Sequence, residues 1–230
     1  MIPATISAIR QGTPTVKVFT LDTGEQQMRY QPGQWLDLYV DLDGEVGVGG
    51  YSMTSSPLTA GSVELAIKRS EANPVTRHLH EHAQVGDRVT LDGGQGSCFY
   101  EAGMAPALVL IAGGIGITPI MSIIRYAAVA TRDVRVTLLY AATASEEHLF
   151  RDELEVLAAR APKLRCRFFV TRGEAGTLRA GHVDEDALRD VLDPDAIYFV
   201  CGPSAMIDST VDALQRLGVG RDRVRFERWW

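Results

Sequence analysis

The segment Ala112-Gly113-Gly114-Ile115-Gly116-Ile117-Thr118-Pro119 follows directly on the apolar run Ala107 to Ile111. An apolar run that empties into a glycine-rich turn and a Thr-Pro pair reads as a buried strand, a tight turn and a helix start. That arrangement brings bare backbone amides and the positive end of a helix to one point. A pyrophosphate can approach there because Gly113, Gly114 and Gly116 carry no side chain. Thr118 is expected at the N-cap and Pro119 at the first helical position, with the helix running to about Ala130. The expected ligand is a dinucleotide. Counted from Gly114, the sixth place of Gly-x-Gly-x-x-Gly is Pro119, so the common Rossmann fingerprint is not met. Taken alone, such a turn is equally compatible with glycines that only permit close packing.

A second turn of the same kind favours the ligand. Cys201-Gly202-Pro203-Ser204-Ala205-Met206 ends the apolar run Ala196 to Val200, and ligands of open parallel sheets bind beyond the carboxyl ends of strands. With both motifs in order, the chain resembles the ferredoxin–NADP reductase family, whose Gly-Gly-x-Gly-x-Thr-Pro and Cys-Gly-Pro-x-x-Met signatures are matched without gaps. The resemblance covers nearly the whole chain. Tyr51-Ser52-Met53-Thr54-Ser55-Ser56-Pro57 is similar to the flavin segment Arg-x-Tyr-Ser, and Asp92 to Phe99 is similar to the Gly-Pro-x-Gly-x-Phe end of the flavin barrel. Within the family, the Tyr-Ser-x-x-Ser-Ser-Pro form and the Phe-Glu-basic-Trp-Trp ending at Phe226 to Trp230 resemble the oxidoreductase NAD-binding domain-containing protein 1 group.

With 230 residues, 46% of them apolar, the chain suffices for two cores of about 100 to 130 residues each. Residues 1–100 carry short strand-like runs, Ile2 to Ile9, Thr15 to Leu21, Trp35 to Val40, Val63 to Ile67 and Arg88 to Leu91, between turn signals such as Pro32-Gly33 and Asp43-Gly44. They predict an antiparallel β-barrel with one helix over Asn73 to Ala83. Residues 101–106 suit a linker. From 107 to 230 strands alternate with helical patterns, including Val134 to Tyr140, a helix over Glu146 to Ala159, Leu164 to Val170, a helix over Asp184 to Leu192 and a helix over Ser204 to Leu217. That alternation predicts an α/β doubly wound parallel sheet. The expected fold is thus an N-terminal flavin barrel followed by a C-terminal pyridine-nucleotide domain.

A net charge of −6 argues against nucleic-acid binding. Three widely separated cysteines, Cys98, Cys166 and Cys201, form neither a disulfide framework nor an iron–sulfur site. No signal pattern or run of the roughly 18 apolar residues that a membrane span needs is present. A cytoplasmic monomer is expected. His78 and His82 share a helix face without a further ligand nearby, so no metal is expected.

The resemblance implies FAD and NADP as cofactors, with NAD as the alternative. It places the flavin against Tyr51, Ser52, Met53 and Thr54, the strand Ile67-Lys68-Arg69, and Val75-Thr76 at a helix start. The nucleotide falls to Gly113, Gly114, Gly116 and Thr118, and the nicotinamide to Cys201, Gly202, Pro203 and Met206. Cys201 and Ser52 are the implied catalytic residues, together with Trp230, an indole expected to cover the flavin, while Trp229 is expected to plug the fold. Thr171-Arg172 resembles the clamp on the NADP 2′-phosphate, a dianion suited to hydroxyl and guanidinium. Two departures stand out. The family arginine before Tyr51 is replaced by Gly49, and the glycine of the second flavin segment by Asn73, so Arg69 or Arg77 is expected to supply the missing charge. The implied activity is hydride transfer from NAD(P)H to FAD, with electrons passed to a ferredoxin- or flavodoxin-type protein, an oxygenase component or a small-molecule acceptor. Arg10, Lys17, Arg29, Lys68 and Arg69 are the expected docking patch. The alternative is a redox-sensing or partner-binding module with weak or absent flavin.

Overall fold

The computed structural model describes residues 1–228. Six strands come first: β1 (Ile2–Thr13), β2 (Val16–Asp22), β3 (Trp35–Leu42), β4 (Glu45–Ser52), β5 (Ser62–Lys68) and β6 (Arg88–Gln95), with helix α1 (Pro74–Glu81) before β6. They pair antiparallel in the order β4-β3-β6-β1-β2-β5. Met53, just past β4, bridges Leu65 of β5, and the Thr54 amide donates to Glu64 O at 2.9 Å. The two end strands therefore meet, closing a barrel around side chains such as Phe19, Leu36, Leu38 and Leu65.

Strand β4 gives almost no signal in the sequence, because Gly47-Val48-Gly49-Gly50 is poor in strand formers. Its glycines answer to packing instead. A Cβ at Gly47 would strike Leu42 and come within 3.0 Å of Val75 on α1. Helix α1 begins as the sequence implies, with the Asn73 side-chain Oδ1 accepting from the Val75 and Thr76 amides at 3.0 and 3.1 Å.

The second sheet contains β7 (Ala107–Gly113), β8 (Arg135–Ala142), β9 (Leu164–Val170), β10 (Arg179–Ala180), β11 (Ala196–Cys201) and β12 (Val224–Phe226). All pairs are parallel, in the order β10-β9-β8-β7-β11-β12. Helices α2 (Ile117–Ala130) and α3 (Arg151–Arg160) cover one face; α4 (Glu185–Arg189) and α5 (Ser204–Arg216) cover the other. Every residue of β7 is buried, which explains its unbroken apolar run. The chain steps outward from β7 to β10 and then returns to β11 on the opposite flank of β7. The switch point where ligands bind therefore lies between β7 and β11.

Two helix starts differ from expectation. Thr118 does not cap α2: its hydroxyl donates to Ile115 O at 2.9 Å, and the helix begins at Ile117 after a 3-10 turn over Gly114–Gly116. The helix expected over Glu146 to Ala159 is interrupted. Leu149 and Phe150 are both buried, and turning two successive side chains inward puts Phe150 in the left-handed region, with φ 62°, before α3 starts.

A polar network and shared apolar packing join the two sheets. Val16, Val18 and Ala66 of the barrel enter one core with Leu149 and Phe150. Arg125 on α2 reaches Glu64 on β5 at 2.7 Å, Thr54 O at 2.9 Å and both oxygens of Glu153 at 2.7 Å. The buried Ser122 hydroxyl donates to Ser55 O at 2.7 Å, and the Thr13 and Thr15 hydroxyls both donate to Glu147 at 2.8 Å.

Candidate functional site

A cleft of about 490 Å³ opens at the switch point and is walled by both sheets. The barrel contributes Gly49, Gly50, Tyr51, Ser52, Ile67 and Lys68; the parallel sheet contributes Gly113, Gly114, Gly116, Thr118, Cys201, Gly202 and Pro203. The two sequence motifs touch. A Cβ at Gly113 would overlap Met206 Sδ, and one at Gly116 would overlap the Cys201 carbonyl and lie 2.6 Å from Gly202 N. These two glycines are therefore required by packing. Gly114 is different, because its φ of +53° suits glycine and nothing lies within 4 Å of its missing Cβ, leaving the backbone bare toward the cleft. Met206 supports this turn from beneath.

On the barrel side, Tyr51 takes the space that a side chain at position 49 would need. A Cβ at Gly49 would lie 2.6 Å from Tyr51 Oη. The Tyr51 hydroxyl is buried without a hydrogen-bond partner among the described residues, and burial pushes its pKa well up. Such an orphan costs about 1 to 3 kcal/mol, so the wall is suited to an acceptor atom arriving in the cleft, as a phosphate or flavin ring would provide. Arg69 is held by Glu71 at 2.7 Å and Glu81 at 2.9 Å, whereas the exposed Lys68 lines the cleft with no ion-pair partner among the described residues.

Other expected flavin contacts lie outside the cleft walls. Met53 and Thr54 are fully buried, with the Thr54 hydroxyl donating to Glu64 Oε1 at 2.7 Å. Val75 is a core residue, and the Thr76 hydroxyl is committed to Ser70 O and Asn73 O, both at 3.0 Å. The start of α1 is thus already satisfied by its own chain. Two members of the expected docking patch have partners of their own: Arg10 pairs with Glu64 at 3.5 Å and the Lys17 ammonium donates to His80 O at 2.7 Å. Thr171 and Arg172 follow β9 at the carboxyl edge of the sheet, their amides donating to Ala142 O and Thr143 O at 2.9 and 3.0 Å. Trp229 and Trp230, with the roles expected of them, lie outside the described residues.

Glu227 is the residue that the sequence motifs pass over. Its carboxylate accepts from Ser97 N at 3.2 Å and from the Trp35 indole, and burial raises its pKa. It is within electrostatic reach of the Cys201 thiol. The Phe-Glu-basic-Trp-Trp ending contains it, but the two indoles draw attention away from the acid between them and β12.

Family models agree with this division of labour. The oxidoreductase FAD-binding domain model matches residues 5–100 and the oxidoreductase NAD-binding domain model matches residues 110–212. Oxidoreductase NAD-binding domain-containing protein 1 of Xenopus laevis is 32% identical over an alignment that spans 99% of this chain and 79% of that protein. The chain belongs to the ferredoxin–NADP reductase family. It is an FAD- and NAD-binding flavoprotein reductase of that family. The flavohem-like FAD/NAD binding domain of nitric oxide dioxygenase from Vibrio cholerae O1 biovar El Tor superposes with a TM-score of 0.90 at 26% identity, covering 99% of this chain and 98% of that one. A ferredoxin NADP+ reductase from Neisseria gonorrhoeae with bound FAD and NADP shares the fold, with a TM-score of 0.84 at 22% identity and 98% and 97% coverage. Among the described residues no helix is long and apolar enough to cross a membrane.

Proposed function

We propose that this reductase draws its electrons from NADPH and delivers them to an external acceptor, either a ferredoxin- or flavodoxin-type protein or an oxygenase component. In this reading residues 1–100 hold the flavin, residues 107–230 hold the nucleotide, 101–106 link them, and the enzyme works as a cytoplasmic monomer. When bound, FAD supplies the chemistry that turns one hydride into transferable electrons. The chain's own residues bind and orient. Tyr51 and Ser52 hold the flavin from the barrel wall, and Lys68 offsets the pyrophosphate charge in place of the family arginine. Gly114 admits the nucleotide phosphates to bare amides. Cys201 and Gly202 shape the nicotinamide floor, Gly202 leaving room for a flat ring and Cys201 setting its approach.

The observation that carries the NADPH reading is Arg172. It stands beside Thr171 past a strand end on the same edge as the cleft, and it has no salt-bridge partner among the described residues, whereas Arg167, Arg179 and Arg189 are all paired with acids. An uncommitted guanidinium there suits a 2′-phosphate. Arg172→Ala should lower kcat/KM for NADPH by roughly ten- to a hundredfold and leave NADH nearly unchanged. Steady-state kinetics with both coenzymes check this, and equal losses for the two would sink the assignment. The purified protein should be yellow and bleach on NADPH addition; a colourless protein that takes up no FAD would favour a sensing or partner-binding role instead.

A further inference from the structure

We propose that Glu147 is a positioning residue for the coenzyme: its carboxylate ties the loop 143–150 to the β1–β2 hairpin, so the barrel half fixes the backbone from which Arg172 reaches the nucleotide. This rests on the reading above that Arg172 receives the 2′-phosphate. The tie is direct. Thr13 closes β1 and Thr15 stands in the turn before β2, and both hydroxyls donate to the same oxygen, Glu147 Oε2, at 2.8 Å. Such charge-assisted bonds from either side of a tight turn hold the carboxylate in one place. Leu149 packs beside them, because a Cβ at Gly12 would lie 2.6 Å from Leu149 Cδ1.

From Glu147 the loop is braced back to β8. The Glu147 amide donates to Ala144 O at 3.1 Å in a 3-10 turn over Ser145–Glu147. The ring nitrogens of the buried His148 lie 3.3 Å from Ser145 O and from Tyr140 O, and the Leu149 amide donates to the Tyr140 hydroxyl at 3.1 Å. At the start of the same loop, Ala142 O and Thr143 O accept from the Thr171 and Arg172 amides at 2.9 and 3.0 Å. A shift of Glu147 is therefore passed through a short, stiff span to the anchor of Arg172. The loop also borders the cleft. Thr143 and Glu147 line a narrow gap together with Lys68 and Gly114, both of which line the cleft as well. A free carboxylate so near a phosphate would repel it, and the two threonine hydroxyls hold this one toward the hairpin.

The test uses the FAD-loaded protein carrying Glu147→Ala, Glu147→Gln, or Thr13→Val together with Thr15→Val. Hydrogen exchange at the Thr171 and Arg172 amides is compared with that of the β7 amides, which report global opening, alongside steady-state kinetics with NADPH and NADH. In Glu147→Ala, exchange at Arg172 should quicken by about tenfold relative to β7. The kcat/KM for NADPH should fall by about threefold to tenfold through KM, with NADH changed less than about twofold. The double valine variant should lose at least as much, since it frees the carboxylate without removing it. Glu147→Gln keeps an acceptor oxygen for both hydroxyls and should stay within about twofold of native. Unmoved exchange at Arg172 in both the Ala and the double valine variants would overturn the proposal, as would a Gln variant as impaired as the Ala variant. Arg172→Ala separates this proposal from the reading beneath it. If that variant loses NADPH and NADH equally, the 2′-phosphate reading falls, and exchange at Arg172 alone decides whether Glu147 holds the loop.

Discussion

Replacing Arg125 with alanine should destabilise the protein by about 3 to 5 kcal/mol, because it leaves two carboxylates and a backbone carbonyl without their common cation. Arg125 and Glu64 are each only 18% exposed at the side chain, so water cannot take over the lost contacts. The guanidinium also stacks on Phe150, 4.9 Å from the ring centroid. The pH dependence carries a definite sign. Burial pushes the Glu64 carboxyl up, but Arg125 and the Thr54 hydroxyl outweigh it, so its pKa lies below the ordinary 4.5. In the native protein this pair contributes stability above that ordinary value and loses it as pH falls through the lowered one. Without Arg125 burial is opposed mainly by Thr54 and the more distant Arg10, and the remaining carboxylate is disfavoured. The variant should therefore fall further behind the native protein as pH rises from about 4 to about 8. Urea unfolding at both ends of that range checks the claim, and a loss under about 1 kcal/mol would show the network to be incidental. Replacing the pair together, as Arg125→Leu with Glu64→Gln, should recover part of the loss because no lone charge stays buried.

Gly116→Ala should weaken NADPH binding by about a hundredfold, or about 2.7 kcal/mol, while leaving FAD binding close to native. The added methyl meets the Cys201 carbonyl and Gly202 amide, both backbone atoms anchored by the β11–β7 pairing. Neither can swing aside as a side chain would, so the two nucleotide loops must part. Overpacking of this kind costs about 1 to 3 kcal/mol in stability as well. Gly114→Ala acts by another route: its methyl meets nothing within 4 Å and parts no loops, its left-handed φ of +53° costs about 1 to 2 kcal/mol, and the methyl stands where the nucleotide phosphates approach. Calorimetric titration of Gly116→Ala with NADPH checks the claim, and a protein within about threefold of native affinity would mean that the loops do not depend on that contact.

The chain's own order of residues determined a great deal here. Apolar runs such as Ala107 to Ile111 are buried on both faces, so their strand identity needs no knowledge of neighbours. Asn73-Pro74 and the Gly113 to Pro119 turn announce helix starts through local chemistry, and two such turns imply a parallel sheet with a switch point. Tertiary structure alone decided what depends on distant surfaces. β4 exists because β3 pairs with it and α1 presses on Gly47, although its glycines argue against a strand. The left-handed Phe150 arises from an interface between two sheets. Arg69 looks as available as Lys68 in sequence, yet Glu71 and Glu81 hold one while the cleft receives the other. Gly113 meets Met206 and Gly116 meets Cys201 across the chain, because folding brings together backbones that no local pattern relates. Backbone propensity and burial period act over a few residues and can be read along the chain; charge partners and steric vetoes act through space and appear only when the strands are in place.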